Sequence, residues 1–471
     1  MVFSSIPFLF FFLPLCLILY YAVPFSWKNG ILLFFSMLFY AWGEPRYIYL
    51  ILIGTFVDYV NGLLMEKYGE TRAKRRIFLC CSVTINLLIL GFFKYADFLI
   101  MSVNAVFGLQ ISPLGWKLPI GISFFTFQTM SYVIDLYRGE VKAEHHYFRY
   151  LTYVSMFPQL VAGPIVRFAD VIAELHKREI NFQMFENGLY RFLQGLFKKV
   201  LLANQMGALW EHIKVMDVMQ ISVVTAWIGA LAFTLQLYFD FSAYSDMAIG
   251  MGEMLGFHFN ENFNYPLSAV SVTDFWRRWH ISLSTWFRDY VYIPLGGNRV
   301  GTMKHLRNMF IVWFLTGLWH GAAWNFVLWG LYYGVLLTLE KYIWGNKLEK
   351  LPRLIQHLYA LGIVVVGFVI FTFDNLSEMF GYISAMFAMA GNGFFSTECI
   401  WYIENYGMIL GIACVLSFPI YPWICKRVQS KEKVVGTLSS VVSVVGYLVL
   451  FMLAISSLVS DTYNPFLYFR F

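Results

Sequence analysis

Apolar residues run along this chain in long blocks, and what separates the blocks is charge rather than turn chemistry. Apolar stretches with few charges recur near residues 6–24, 29–42, 46–65, 77–95, 119–137, 188–207, 221–245, 354–373, 401–424 and 437–459. Each approaches the roughly 20 residues that an α-helix needs to cross a hydrocarbon core about 30 Å thick. The stretch 308–339 holds no Asp, Glu, Lys or Arg at all. As one straight helix it would be about 48 Å long, so it is expected to tilt strongly or, better, to break in two near Gly317 and Gly321. The pattern predicts an all-α polytopic membrane protein with roughly ten to twelve spanning segments.

Lys and Arg cluster at 67–76, 138–149, 167–178, 198–199, 277–307, 341–353 and 426–433. Such clusters prefer the cytoplasmic side. Two of them flank LTYVSMFPQLVAGPIV, with Pro158, Gly163 and Pro164. That stretch reads as a re-entrant loop, which needs protein or water around its backbone. The last cluster precedes a single final span, which places the tail 461–471 on the outer face. At the other end no positive charge precedes Lys28, and Pro7 and Pro14 interrupt the apolar opening. It reads as a retained membrane segment rather than a secretory signal. No internal repeat or low-complexity linker divides the chain, so a single domain over 1–471 is expected.

Composition narrows the class further. Of 471 residues 59% are apolar, 20% aromatic and 13% charged, against about a quarter charged in a soluble domain. The formal charge of +6 is modest for this length, and nothing resembles a nucleic-acid footprint. Cys16, Cys80, Cys81, Cys399, Cys414 and Cys425 show no metal-ligand spacing, which predicts buried thiols. No metal site and no bound cofactor are expected. G-x-S-x-G and H-E-x-x-H are both missing, which argues against a serine or zinc hydrolase of those types.

His320 sits in TGLWHGAAW, inside the stretch free of charged residues. Counted from Arg307 it lies about 20 Å deep along a helix. An ionisable group at that depth is a functional candidate, and a neutral imidazole can serve as a general base. The competing reading is a structural histidine bonded to a backbone carbonyl. His280 lies in TDFWRRWHISLSTWFRDY. At 100° per residue Trp276, Trp279, Leu283 and Trp286 share one arc, with Arg277, Arg278 and Arg288 opposite. This predicts a single amphipathic helix in the membrane interface, capped by Thr273, with His280 at the boundary of its faces. An incidental histidine on a plain interfacial helix fits equally. Asp240 and Asp246 end a long apolar run and read most simply as acids that hold the bundle together by pairing with Arg or by capping a helix. Gly250, Gly252 and Gly256 read as small residues for helix packing rather than a nucleotide loop. His145 and His146 fall in a loop and are expected to be solvated. Tyr468, in YNPFLYFRF, is a hydroxyl within a short apolar segment that also suits an interface anchor.

Together WRRWHISLSTWFRDYVYIPLGG and TGLWHGAAW, with forty residues between their histidines, resemble the membrane-bound O-acyltransferase family. YFDFSAYSDMAIG, FPQLVAGPIVR and YIPLGGNR look like its bacterial alginate O-acetylase branch. The resemblance runs from about residue 39 to 342 and recurs at the tail. It implies a bundle of helices around a central tunnel, with His320 as the essential histidine and His280 as a second one near the cytoplasmic mouth. It also implies an acyl donor on the cytoplasmic side, acetyl-CoA in this branch, and a cell-surface polysaccharide as final acceptor. FLYFRF resembles a short aromatic motif of envelope acylation systems, whose tyrosine would here be Tyr468, a carrier of the acyl group to an extracytoplasmic partner with a serine nucleophile. By charge and position Trp276, Arg277, Arg278, Arg288, Lys304 and Arg307 are candidate donor-binding residues. The expected site is the cytoplasmic membrane of a bacterium. Two other readings stay open: D-alanyl transfer to teichoic acid from a carrier protein, and a transporter or a non-catalytic scaffold.

Overall fold

In hydrocarbon a backbone must satisfy its own N–H and C=O groups, and a long apolar run does so as a helix. The computed structural model describes residues 2–161, 163–420, 423, 436–460 and 466–467. Among them every regular element is helical and none is a strand. A helix lies over each of the ten stretches read from the sequence. Six are long and apolar enough to cross a membrane: Ile48–Tyr68, Arg72–Phe107, Val223–Met254, Arg353–Thr372, Thr397–Leu416 and Val441–Ser460. Phe8–Ala22 is a shorter apolar helix. The protein is an integral membrane protein.

Two compact units emerge: Met1–Phe192 with Ser245–Glu261, and Leu193–Tyr244 with Asn262–Phe471. The first packs the Ile48–Tyr68, Arg72–Leu90 and Ile122–Arg138 helices against one another. Thr71 starts one of them by accepting the N–H of Lys74, and Gly139, at φ 82°, ends another where a Cβ would be strained. Nearly the whole Ile122–Leu136 face is buried. At its centre Asp58 accepts hydrogen bonds from Ser82 and Asn86, tying two helices together. The stretch read as re-entrant is broken, with helices Tyr147–Ser155 and Phe157–Leu160 meeting at Met156, and it is buried in protein. Asp246 pairs with Arg191 at 2.7 Å. Gly250 faces Gly188 closely enough that a Cβ on either would strike the other's backbone. His145 is solvated, its side chain 66% exposed, and its Nε2 lies 2.9 Å from a Glu66 oxygen.

The second unit holds the long charge-free stretch, and the stretch does break. One helix, Thr302–His320, ends at His320, and the next, Trp324–Leu339, begins three residues after Gly321. The two return side by side because Gly317 and Gly330 leave no room for a side chain. A Cβ at Gly317 would meet the Phe326 carbonyl, and one at Gly330 the Trp313 carbonyl. Lys198 and Lys199, counted above with the cationic clusters, lie in a π-helical turn between two helices, and Lys199 is buried against Asp240.

Candidate active site

The Trp-rich segment around His280 departs from the expected single interfacial helix. It forms two short helices, Val272–Arg278 and Ile281–Phe287, joined at Trp279 and His280. His280 takes a left-handed conformation, φ 45° and ψ 55°, which is unusual for a non-glycine residue and must be held from outside. Asn262 holds it. Its backbone carbonyl accepts the N–H of Ile281 at 3.0 Å. Its Oδ1 accepts the Ser282 N–H at 3.1 Å and the Ser282 hydroxyl at 2.9 Å. The cap of the first helix is Ser271, which accepts the N–H of Asp274, and not Thr273. The indoles of Trp276, Trp279 and Trp286 are buried within the protein. A seven-residue helix gains little on its own, so its apolar arc is used for packing rather than for lipid.

This corner fixes the chemistry of His280, which is 1% exposed. Its Nδ1 lies 3.2 Å from Asn262 Oδ1. A backbone N–H can only donate, so the Ser282 N–H identifies that Asn262 atom as the acceptor oxygen. Nδ1 of His280 therefore carries the proton, and Nε2 keeps the lone pair. Burial pushes its pKa down to about 3, so the ring is neutral. Phe241 meets the ring edge-on at 4.8 Å.

His320 is the last residue of its helix and is buried. Its ring is boxed by Trp319, Trp329 and Phe371, with centroids 5.0, 5.0 and 5.3 Å away and planes nearly perpendicular. Asn325 donates to the Phe371 carbonyl at 3.0 Å and so holds one wall in place. Trp319 also touches His280, at 5.8 Å. One indole thus stands between the two histidines.

A cavity of about 720 Å³ opens beside them, within the range of roughly 300–1,000 Å³ that small-molecule sites occupy. Trp276, Arg277, His280 and Arg288 line it. His320 does not, but Thr316, one turn earlier on the same helix face, does. The Thr302–His320 helix shows the cavity His305, Met309, Val312, Trp313 and Thr316. Lys304 and Arg307 point away from that arc, lying about 80° and 120° beyond its edges. Arg307 instead donates to Asn308. Arg278 pairs with Asp274 at 2.8 Å and does not line the cavity either. Arg288 reaches the cavity while ion-paired with Asp289. The Nε1 of Trp276 is buried with no hydrogen-bond partner among the described residues. Tyr468 lies outside the described residues.

Three cavity residues carried no sequence signal strong enough to single them out. Glu340, the first acid after the charge-free stretch, accepts the N–H groups of Val272 and Thr273 at 2.9 and 2.8 Å. It thereby places a buried carboxylate at the N-terminus of the Val272–Arg278 helix, where the helix dipole favours it. His305 accepts from Lys341 Nζ at 3.0 Å through Nε2, which also meets the Tyr292 hydroxyl at 2.9 Å. Its Nδ1 therefore carries the proton toward the Tyr342 hydroxyl at 2.8 Å. Burial and the Lys341 ammonium both lower the pKa of His305. The site thus sets His280, held neutral by burial, and His320 beside a cavity with a cationic wall, and among the described residues no cluster has the ligands for a metal ion.

Comparison with known proteins gives this arrangement a context. The model of the membrane-bound O-acyltransferase family matches residues 44–379. A protein named probable alginate O-acetylase from Pseudomonas aeruginosa is 44% identical over 393 residues, covering 82% of this chain and 75% of that one. A protein of the same name from Pseudomonas putida is 38% identical over 496 aligned positions and covers 100% of both chains. The peptidoglycan O-acetyltransferase of Helicobacter pylori is 32% identical over 427 residues, covering 83% of this chain and 80% of that one.

Proposed function

The chain belongs to the membrane-bound O-acyltransferase family, and on that premise we propose that it moves an acetyl group from acetyl-CoA toward O-acetylation of a cell-surface polysaccharide. The observation that carries the reading is the cavity of about 720 Å³, walled by Arg277, Arg288 and Lys341, that comes within one helical turn of His320. The cations suit the phosphates of the donor's head, and the apolar depth around Trp276 and Trp313 suits its narrow thioester arm. The three relatives described above are named as alginate O-acetylases or a peptidoglycan O-acetyltransferase, which favours acetyl over D-alanyl as the group transferred.

In this mechanism neutral His320 takes the proton of an acceptor hydroxyl, and that oxygen attacks the thioester carbonyl carbon. The C–S bond breaks, and the proton held by His320 leaves with the thiolate, so that free CoA and an acetyl ester are the products. His280, held neutral with its lone pair on Nε2, positions the donor, since a ring with so low a pKa carries no extra proton to donate at neutral pH. Tyr468 is the acceptor hydroxyl, and it hands the acetyl group to an extracytoplasmic partner with a serine nucleophile. This reading places the protein in the cytoplasmic membrane of a bacterium, with the 461–471 segment on the outer side.

The test is purified protein in liposomes with labelled acetyl-CoA. His320→Ala is expected to remain folded while release of CoA and transfer of label both stop. Transfer at the wild-type rate in that variant would overturn the role of His320.

A further inference from the structure

Within the second unit, the Lys199 ammonium and the Asp240 carboxylate meet at 2.7 Å, with side chains 5% and 2% exposed. A buried ion pair gives little net stability, because both ions lose their water. It does leave a carboxylate held in one orientation with an oxygen to spare. Oδ2 of Asp240 uses that capacity to accept the backbone N–H of Leu467 at 2.9 Å. One turn further along the helix, the Tyr244 ring stacks on Phe466 at 4.5 Å and 25°. Phe466 and Leu467 are both buried, at 7% and 6% exposure.

Two adjacent residues of the chain are therefore gripped by positions i and i+4 of one helix face. The grip has a specificity of its own. The carboxylate reads a main-chain N–H, which any residue but proline supplies. The stacking ring reads an aromatic side chain at the residue before it. The same stretch of helix borders His280, since Phe241, next to Asp240, is the ring that meets it edge-on.

We propose that Lys199, Asp240 and Tyr244 form a docking seat for the chain's own 466–467 segment, and that this seat positions Tyr468 for acylation. The second half rests on the reading of Tyr468 given above. Covalent geometry links the halves, because consecutive Cα atoms are only about 3.8 Å apart. Seating Leu467 confines where the next residue can reach. Lys199, Asp240 and Tyr244 are positioning residues and take no part in the bond changes.

The test uses the full chain in detergent and in liposomes. Lys199→Met with Asp240→Leu removes both charges at once, so that no unpaired ion stays buried, and Tyr244→Ala removes only the ring. Hydrogen exchange of the peptide containing Leu467 reports seating, and acetyl delivered per CoA released reports positioning. Both variants are expected to speed exchange at the Leu467 amide at least tenfold. The KM for acetyl-CoA should stay within twofold, while the rate of acetyl delivery falls at least tenfold. Tyr468→Phe should leave the exchange protection intact and lose delivery. Unchanged exchange in both seat variants would overturn the seat. Faster exchange with wild-type delivery would overturn its positioning role. Loss of protection in the seat variants together with full delivery by Tyr468→Phe would overturn the acceptor reading and leave the seat standing.

Discussion

Replacing Asn262 with alanine tests the claim that one side chain fixes both the backbone and the tautomer of His280. The change removes the oxygen that accepts from the Ser282 N–H, the Ser282 hydroxyl and His280 Nδ1. A buried donor left without a partner costs about 1–3 kcal/mol. The hydroxyl can rotate, and at 3.5 Å from Nδ1 it is close enough to take over part of the loss. Losing the acceptor of the Ser282 N–H is expected to destabilise by about 2 kcal/mol. The left-handed backbone at His280 stores strain of order 1–3 kcal/mol, and of the Asn262 contacts only the backbone carbonyl bond to the Ile281 N–H remains to restrain it. Once the Nδ1 proton is no longer pinned, the ring populates the other tautomer and loses its acceptor on the side where the donor binds. Acetyl-CoA turnover in liposomes and the thermal midpoint in detergent are the measurements. Asn262→Ala should lower kcat/KM about tenfold or more, each tenfold corresponding to about 1.4 kcal/mol, and lower the midpoint as well. Wild-type values of both would show that Asn262 does not hold the corner, and the tautomer argument would fall with it.

Other expectations follow from the same geometry. Glu340→Gln leaves one amide oxygen for two N–H donors, so it loses either the Val272 or the Thr273 bond together with the charge at the helix N-terminus and should cost about 1–3 kcal/mol; calorimetry decides, and no change would mean the carboxylate is idle. Lys341→Ala should raise the KM for acetyl-CoA severalfold, whereas Lys304→Ala, whose side chain lies off the cavity arc, should leave it unchanged; the reverse order would overturn the mapping of the cationic wall. Gly330→Leu should prevent the two glycine-faced helices from closing, and loss of folded protein on size-exclusion chromatography checks this. Acid should weaken the protein through His280. Between about pH 6.5 and 3 the unfolded chain binds a proton there that the native ring refuses, so stability falls as pH drops through that window, by up to about 1.4 kcal/mol per unit. His280→Gln should flatten that part of the pH–stability curve, and an unaltered curve would mean that the ring is not held neutral.

Much of the molecule was legible from local pattern alone. Hydrocarbon leaves a backbone few options, so apolar length translates directly into helices, and helices lie over every stretch marked in this way. The break after His320 was legible for the same reason, because 308–339 is too long to span in one piece. Lys199 shows what a charge count leaves out. It counts among the cationic clusters of the sequence, but an acid on another helix takes it inside.

The sequence by itself determined the class of this protein and its family and singled out two histidines as candidates, because these rest on composition, on length against the bilayer and on residues that are neighbours in the chain. Tertiary structure alone decided what surrounds them. No periodicity within 272–287 foretells the turn at His280, because its cause is Asn262, eighteen residues earlier. No charge count separates Arg277, which lines the cavity, from Arg278, which Asp274 draws away. Glu340, His305 and Lys341 joined the site only when the helices carrying them were packed. The physical reason is common to all of these cases: a hydrogen bond or ion pair acts over about 3 Å of space, and only the folded chain brings such partners that close.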